Sequence, residues 1–292
     1  MNTFTIKDLE NLSGIKAHTI RIWEQRYNFL KPNRTETNIR YYSNNDLRAI
    51  LNIAMLNKYG YKISHINNMS EKDISSKVAE LNSGEALQEK IINDLIQLMI
   101  ELDNTGFEKL IDRQISKIGI EKTITRILFP FFGKIGILWQ TGHINPAQEH
   151  LITNISRQKI IVRIDQASPV LHRKKTFLLF LPEREFHEIG LLFVHYLLKK
   201  HGCEVCYLGT NVPVKDARFV AEIKKSDFIY LHLTASPQGY STEKFLDMLS
   251  FNFPQNKIII SGFLTYNYKK PIPRNIQFIE SHPQLVAFVS SL

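Results

Sequence analysis

The stretch Thr5-Ile6-Lys7-Asp8-Leu9-Glu10-Asn11-Leu12-Ser13-Gly14-Ile15-Lys16-Ala17-His18-Thr19-Ile20-Arg21-Ile22-Trp23-Glu24-Gln25-Arg26-Tyr27 decides how the N-terminal part of the chain folds. Thr5 can cap a helix running through Asp8 to Leu12, because its side-chain oxygen can accept from an orphan N–H of the first turn. Gly14 then supplies a tight turn, and a second helix is expected from about Ala17 to Tyr27. Two short helices joined this way have helix-turn-helix spacing. The second helix carries His18, Arg21 and Gln25 on one side, with Ile20, Trp23 and Glu24 distributed around it. Arg21 and Arg26 can reach phosphates or base edges.

Immediately downstream, Lys31-Pro32-Asn33-Arg34-Thr35 and Asn38-Ile39-Arg40-Tyr41-Tyr42 interleave basic and aromatic residues in a loop too polar for a core. Two readings fit the residues alone: a wing pressed against a sugar-phosphate backbone, and a solvated basic loop on a small helical domain. The whole chain has 37 Lys and Arg against 28 Asp and Glu, a formal charge of +9. That excess favours a polyanionic partner without proving one.

Further along, Leu87, Ile91, Ile92, Leu95, Ile96, Leu98 and Met99 form a helical stripe, and Phe107, Leu110, Ile111, Ile115 and Ile118 a second. Ile124 through Leu138 reads as a third, strongly apolar helix bent at Pro130. Pro146 opens a fourth at a favourable first-turn position. Four such helices joined by short loops predict an antiparallel bundle over about 84–167. From about Lys174 the texture changes. Strands are expected at Thr176–Leu181, Glu204–Leu208, Phe228–Leu233, Lys257–Ser261 and Ile276–Ile279, and helices at His187–His201, Val214–Lys225, Thr242–Leu249 and Pro283–Ser291. This alternation predicts a Rossmann-like, doubly wound parallel sheet over 174–292. In such sheets ligands bind beyond the carboxyl ends of the strands, which directs attention to the loops after Leu181, Leu208, Leu233 and Ser261. The expected architecture is therefore multidomain: a helix-turn-helix module over 1–80, the bundle, and the α/β region. A length of 292 residues suits two or three domains.

The loop Glu185-Phe186-His187-Glu188-Ile189-Gly190 follows the first strand of that sheet, where a ligand-binding histidine could project. Glu185, two residues before His187, could orient the imidazole, and Gly190 would let a bulky partner approach the next helix. An isolated surface histidine at a helix start is the plainer alternative. Cys203 and Cys206 are spaced like a redox or zinc pair, but residues three apart on a strand face opposite sides, and two packed thiols are expected. No P-loop, G-x-S-x-G element or metal cluster is visible, so the chain reads as a non-enzyme. The N-terminus lacks a basic leader and an apolar core segment. The most apolar stretch, Ile127 to Trp139, is short and interrupted by Lys134. A cytoplasmic protein with no membrane partner is expected.

The run Thr5-Ile6-Lys7-Asp8-Leu9, Ser13-Gly14-Ile15, Thr19 through Tyr27, Pro32-Asn33-Arg34-Thr35 and Arg40-Tyr41-Tyr42-Ser43 resembles the MerR family of winged helix-turn-helix regulators over about 70 residues. The resemblance implies a homodimer on pseudo-palindromic, double-stranded promoter DNA. It places His18, Thr19, Arg21, Arg26 and Tyr27 in the DNA-facing helix region, and Arg34, Arg40 and Tyr41 in the wing.

Glu185 to Gly190, followed by Tyr207-Leu208-Gly209-Thr210-Asn211-Val212-Pro213, resembles the cobalamin-binding domain of methionine synthase and its relatives. In that family the histidine of a D/E-x-H-x-x-G loop is the lower axial ligand of cobalt, which implies His187 as the metal ligand. Trp139, with Glu149-His150 after a gap of nine residues, resembles the W-x9-E-H signature of the light-responsive CarH and LitR regulators. There the tryptophan covers the upper face of adenosylcobalamin, and a second histidine can ligate cobalt after photolysis. The residues alone leave Trp139 equally able to be a bundle-core indole, and Glu149-His150 a helix start. The implied cofactor is a cobalamin, adenosylcobalamin favoured, held by Trp139, Glu149, His150, Glu185, His187, Gly190, Gly209, Thr234 and Gly262, with a tetramer as a cofactor-bound form.

Two departures stand out. Where that family has Ser-x-Thr or Ser-x-Leu after the third strand, this chain has His232-Leu233-Thr234; where it has Gly-Gly after the fourth, this chain has Ser261-Gly262. Both bear on the pocket for the nucleotide tail. A scaffold that has lost the cofactor and serves oligomerisation or protein partners is the main alternative. A corrinoid methyl carrier is a third, against which the helix-turn-helix argues.

Overall fold

Thr5 caps the first helix in the computed structural model, which describes residues 3–27, 29–81, 83–140, 144–167, 175–234 and 241–292, with the backbone alone at 137, 139 and 140. The chain divides into two compact units, Met1–Ile155 and Ser156–Leu292.

The first unit opens with α1 (Ile6–Ser13) and α2 (Ala17–Arg26), separated by Gly14 at φ 76°. Thr5 and Asp8 exchange hydrogen bonds in a capping box, which satisfies two orphan donors at once. α2 stops one residue short of the expected end, because Tyr27 is already extended. The hairpin β1 (Asn33–Arg34) and β2 (Arg40–Tyr41) is the wing, its turn closed by Asn38 at φ 63°. Phe4 pairs with Tyr42 by two backbone hydrogen bonds of 2.9 Å, which fixes the chain start to the base of the wing. α3 (Asn44–Lys58), α4 (Ile63–Ile66) and α5 (Glu71–Glu80) complete the module. Its core holds Phe4, Leu9, Leu12, Ile20, Trp23, Tyr42 and Leu47.

The bundle helices follow as α6 (Gly84–Ile100), α7 (Asn104–Thr123), a π-helical turn over Ile124–Leu128, α8 (Phe129–Gln140) and α9 (Pro146–Gln166). Where a bend is expected at Pro130, the structure has a π-helical turn just before it. Proline lacks an N–H and its ring crowds the carbonyl four residues back, and the wider π turn immediately precedes α8. A second break, at Gly119 (φ 80°, ψ 162°), interrupts α7. Lys134 on α8 is largely buried. Its Nζ donates to the Leu12 carbonyl at the end of α1 and to Asn93 Oδ1, both at 3.3 Å. Burial holds its ammonium below the ordinary lysine range. A cation from the bundle thus satisfies a C-terminal carbonyl of α1, which has no basic residue in its own last turn.

The second unit is a five-stranded parallel sheet in the order β4-β3-β5-β6-β7. In chain order these elements are β3 (Thr176–Pro182), α10 (Ile189–Lys200), β4 (Glu204–Val212), α11 (Val214–Lys224), β5 (Phe228–His232), α12 (Thr242–Asn252), β6 (Lys257–Ser261), α13 (Phe263–Asn267), β7 (Ile276–Ile279) and α14 (His282–Ser291). One face, with Leu178, Phe180, Ile229, Leu231, Ile258 and Ile260, packs on Ala217, Ala221, Phe245, Leu246 and Leu249 of α11 and α12. The other carries Phe177 stacked on Phe228 at 4.5 Å, with Phe288 of α14 edge-on to both.

β4 runs four residues beyond the expected Leu208. Between Leu179 and Phe180 the register slips, so that Phe180 faces Gly209 rather than Leu208. Gly209 has φ 83°, the conformation of a glycine bulge that lets a strand continue past an extra residue. Cys203 lies just ahead of this strand and is buried, and Cys206 lies within it. Among the described residues, no helix is long and apolar enough to cross a membrane.

Candidate functional site

The candidate residues lie on two surfaces, one in each unit, with a further group in the bundle. In the first unit, Ile20 and Trp23 turn the inner side of α2 into the core, which leaves His18, Arg21 and Arg26 exposed. Thr19 is half-buried, with Oγ1 3.3 Å from His18 Nε2. Tyr27 is half-buried and stacks on Phe29 at 5.6 Å. Arg34 is exposed on the wing, with Nη1 donating to Asn38 Oδ1 at 2.7 Å. Tyr41 is half-buried beside it. Arg40 has a partner inside the protein: its Nε lies 3.2 Å from Glu24 Oε2. The Tyr42 hydroxyl donates to the other oxygen of the same carboxylate. Burial, then Glu24, pushes the Tyr42 hydroxyl far above the usual phenol range, so it stays a donor. Glu24, only 7% exposed at its side chain, therefore locks wing to helix. Sequence reasoning gave it no role. The available signal was its helical phase, which sets a carboxylate close to the inward side of a basic helix.

In the bundle, Trp139 lies on α8, and its side chain falls outside the described residues. Glu149 and His150 stand in the first turn of α9. Glu149 is half-buried, accepts from Thr153 Oγ1 at 2.6 Å and lies 3.3 Å from His150 Nδ1, while His150 is exposed.

The second surface is at the carboxyl ends of the parallel strands. β3 connects outward to β4, and the next connection returns across it to β5, so the strand order reverses between β3 and β5. The crevice at such a switch point is where open α/β sheets bind ligands. His187 stands in the loop after β3 and Thr234 in the loop after β5, and the structure brings both onto Glu185. Glu185 Oε1 accepts from the backbone N–H of Phe186 (3.0 Å) and of His187 (2.9 Å), and from His187 Nδ1 (2.6 Å). Thr234 Oγ1 donates to Glu185 Oε2 at 3.3 Å. Burial alone would raise the Glu185 pKa. The hydrogen bonds from His187 outweigh burial and hold the carboxyl below its ordinary value. An ionised carboxylate only accepts, so Nδ1 carries the proton and Nε2 is left as the ring's acceptor nitrogen. The His187 side chain is 71% exposed while Glu185 is 9%: a buried acid presents an imidazole at the surface.

Glu188 anchors the same loop from its other end. It accepts from Arg157 Nε of α9 and from the Tyr207 hydroxyl of β4 at 2.6 Å. Neither bond is legible from spacing, since its partners are 31 and 19 residues away. Gly190 and Gly262 both mark close approach. A Cβ on Gly190 would sit 2.2 Å from His232 Nε2, and one on Gly262 would sit 2.3 Å from the Leu233 carbonyl. Gly209 belongs to the edge-strand bulge described above.

Family models match two stretches of the chain, the helix-turn-helix module and the bundle helices. Residues 4–73 match the MerR HTH family regulatory protein region, and residues 91–163 match the B12 binding domain. The chain is homologous to two repressors of Myxococcus xanthus. It is 27% identical to the HTH-type transcriptional repressor CarH over 254 residues, covering 85% of this chain and 83% of that protein. It is 24% identical to the HTH-type transcriptional repressor CarA over 294 aligned positions, covering 98% and 96%. The monomethylamine corrinoid protein of Methanosarcina barkeri shares the fold at a TM-score of 0.56 and 15% identity, over 70% of this chain and all of that one. Both of these relatives are named as transcriptional repressors.

Proposed function

We propose that the chain is a sequence-specific DNA-binding regulator that senses a cobalamin, with adenosylcobalamin as the favoured form. The observation that carries this reading is the Glu185–His187–Thr234 cluster at the switch point. Its donor set suits cobalt: a neutral imidazole whose tautomer is fixed by a buried carboxylate is the arrangement that orients metal-bound histidines. His187 would hold the metal, Glu185 and Thr234 would set the ring, and Gly190 and Gly262 would shape the crevice. Trp139, Glu149 and His150 would serve the opposite face. When bound, adenosylcobalamin supplies a cobalt–carbon bond that light can break.

His18, Thr19, Arg21, Arg26 and Tyr27 would meet the major groove. Arg34 and Tyr41 would meet the backbone from the wing, with Arg40 positioned there by Glu24. A single winged helix reads few bases, so a homodimer on paired half-sites fits, with a tetramer as the cofactor-bound form, working in the cytoplasm. The test is a visible-absorption titration of the full chain with adenosylcobalamin in the dark. Wild type should give a histidine-ligated corrinoid spectrum and His187→Ala a form without that ligand. Identical spectra for the two proteins would remove His187 from the site.

A further inference from the structure

The crevice beside His187 already contains an imidazole. His232, at the end of β5, lies across the first turn of α10 at Gly190. Three of its ring atoms (Nε2, Cδ2 and Cε1) lie 2.2, 2.3 and 2.6 Å from where a Cβ on Gly190 would stand. Only a residue without a side chain leaves room for this ring. Nδ1 of His232 lies 2.9 Å from Ser261 Oγ, on the neighbouring strand. The two residues are direct register partners of β5 and β6. Tyr230, two positions earlier on the same face of β5, is fully buried. The two residues that depart from the cobalamin-binding pattern in sequence therefore touch each other. Together they fill the space between α10, β5 and β6.

What this space would have to hold follows from the chemistry of the cofactor. In a complete cobalamin, the base that occupies the lower axial position hangs from the ring on a nucleotide arm. A protein histidine that takes that position displaces the base, and the arm must then be housed on the histidine's side of the ring. Here that side is the crevice beside His187, and the His232 ring stands in it, pinned by Ser261. A corrin ring held at His187 would leave His232 in place, whereas a base-bearing arm would compete with it for this space.

We infer that His232 and Ser261 make this site discriminate among corrinoids by the lower arm, taking a ring without the base in preference to complete cobalamin. The inference rests on the cobalamin-sensing reading, keeps its adenosyl upper ligand, and ranks the corrinoids that bind by their lower arm, with adenosylcobalamin the weaker binder. Complete cobalamin enters only by displacing His232, which breaks the Ser261 contact and strips the ring from Gly190.

The experiment compares adenosylcobalamin with adenosylcobinamide, which share their upper ligand and differ in the lower arm. Each is titrated in the dark into the full chain, and the absorbance change gives its Kd. Wild type should bind adenosylcobinamide about tenfold or more tighter, a difference of about 1.4 kcal/mol. His232→Ser should close or reverse that gap by tightening adenosylcobalamin, and leave adenosylcobinamide within about twofold of wild type, a shift of under about 0.5 kcal/mol. Equal wild-type affinities, or tighter binding of adenosylcobalamin, would overturn the inference and leave the sensing reading standing. So would a variant that shifts both ligands alike. Binding of neither would overturn the sensing reading and this inference with it. The wild-type comparison needs no variant, so a misfolded His232→Ser protein would not rescue the claim.

Discussion

Glu24 is the residue whose removal should show most clearly how the DNA-reading module holds its shape. Its buried carboxylate receives the Tyr42 hydroxyl and pairs with Arg40. A hydrogen bond to a charged group is worth about 1.5–3 kcal/mol net. Arg40 is one-third exposed at its side chain, so its ion pair adds at most about 1 kcal/mol. Glu24→Ala should therefore destabilise the first unit by about 1.5–4 kcal/mol, the sum of these two contributions. Tyr42→Phe removes the hydroxyl alone, and the pair Glu24→Ala, Tyr42→Phe closes a double-mutant cycle. The coupling energy should be about 1.5–3 kcal/mol, the worth of the shared bond. Urea unfolding followed by tryptophan fluorescence is the assay. The chain has two tryptophans, Trp23 and Trp139, and both lie in the first unit, so the signal reports that unit alone. Glu24→Ala should also weaken DNA binding, because the wing is no longer tied to α2. Single-variant effects that add to within about 0.5 kcal/mol would refute the claim that one carboxylate locks wing to helix.

Other outcomes follow from the same geometry. Lys134→Met should cost the first unit about 1–3 kcal/mol by leaving Asn93 Oδ1 and the Leu12 carbonyl without their donor, and adding Asn93→Leu should recover part of that; a neutral Lys134→Met would show that the contact contributes nothing. His195 has a buried Nδ1 with no hydrogen-bond partner, and burial, helped by Lys199, pulls its pKa to about 4. The unfolded chain binds this proton first, so wild type should lose stability relative to His195→Phe as pH falls from about 6.5 to about 4. Parallel urea-stability profiles by circular dichroism would reject this. Arg34→Ala should weaken binding to all DNA sequences and flatten the salt dependence by about 0.9 in log–log slope. Arg21→Ala should also relax sequence preference if it reaches a base edge, and an unchanged preference would place it on a phosphate.

Much of this fold was legible because its elements are specified locally. The apolar runs Thr176–Leu181 and Lys257–Ser261 could be little else than buried strands, and their alternation with helices fixed a parallel sheet. Thr5 and Gly14 announced the start and stop of α1. Where reading failed, the cause was a non-local or backbone effect. The end of β4 was misplaced because Gly209 looks like a strand terminator and is instead a bulge. The break at Gly119 leaves the apolar stripe intact on either side, so periodicity passes over it. At the sites, Glu185, His187 and Thr234 could be gathered from two loops once the strand ends were known. Glu24, Lys134 and Glu188 act through partners 16 to 122 residues away, and pattern alone does not choose among distant partners. The departures His232 and Ser261 were visible as substitutions; that they bond to each other and seat on Gly190 was not.

The most direct test joins the two surfaces. A duplex selected from a random pool by the full chain is labelled, and its affinity is measured by fluorescence anisotropy without corrinoid, with adenosylcobalamin in the dark, and after illumination. The account predicts that a specific sequence is enriched and that corrinoid in the dark changes its affinity by about tenfold or more, roughly 1.4 kcal/mol of coupling, with the change lost in light and absent in His187→Ala. A single affinity under all three conditions would contradict it.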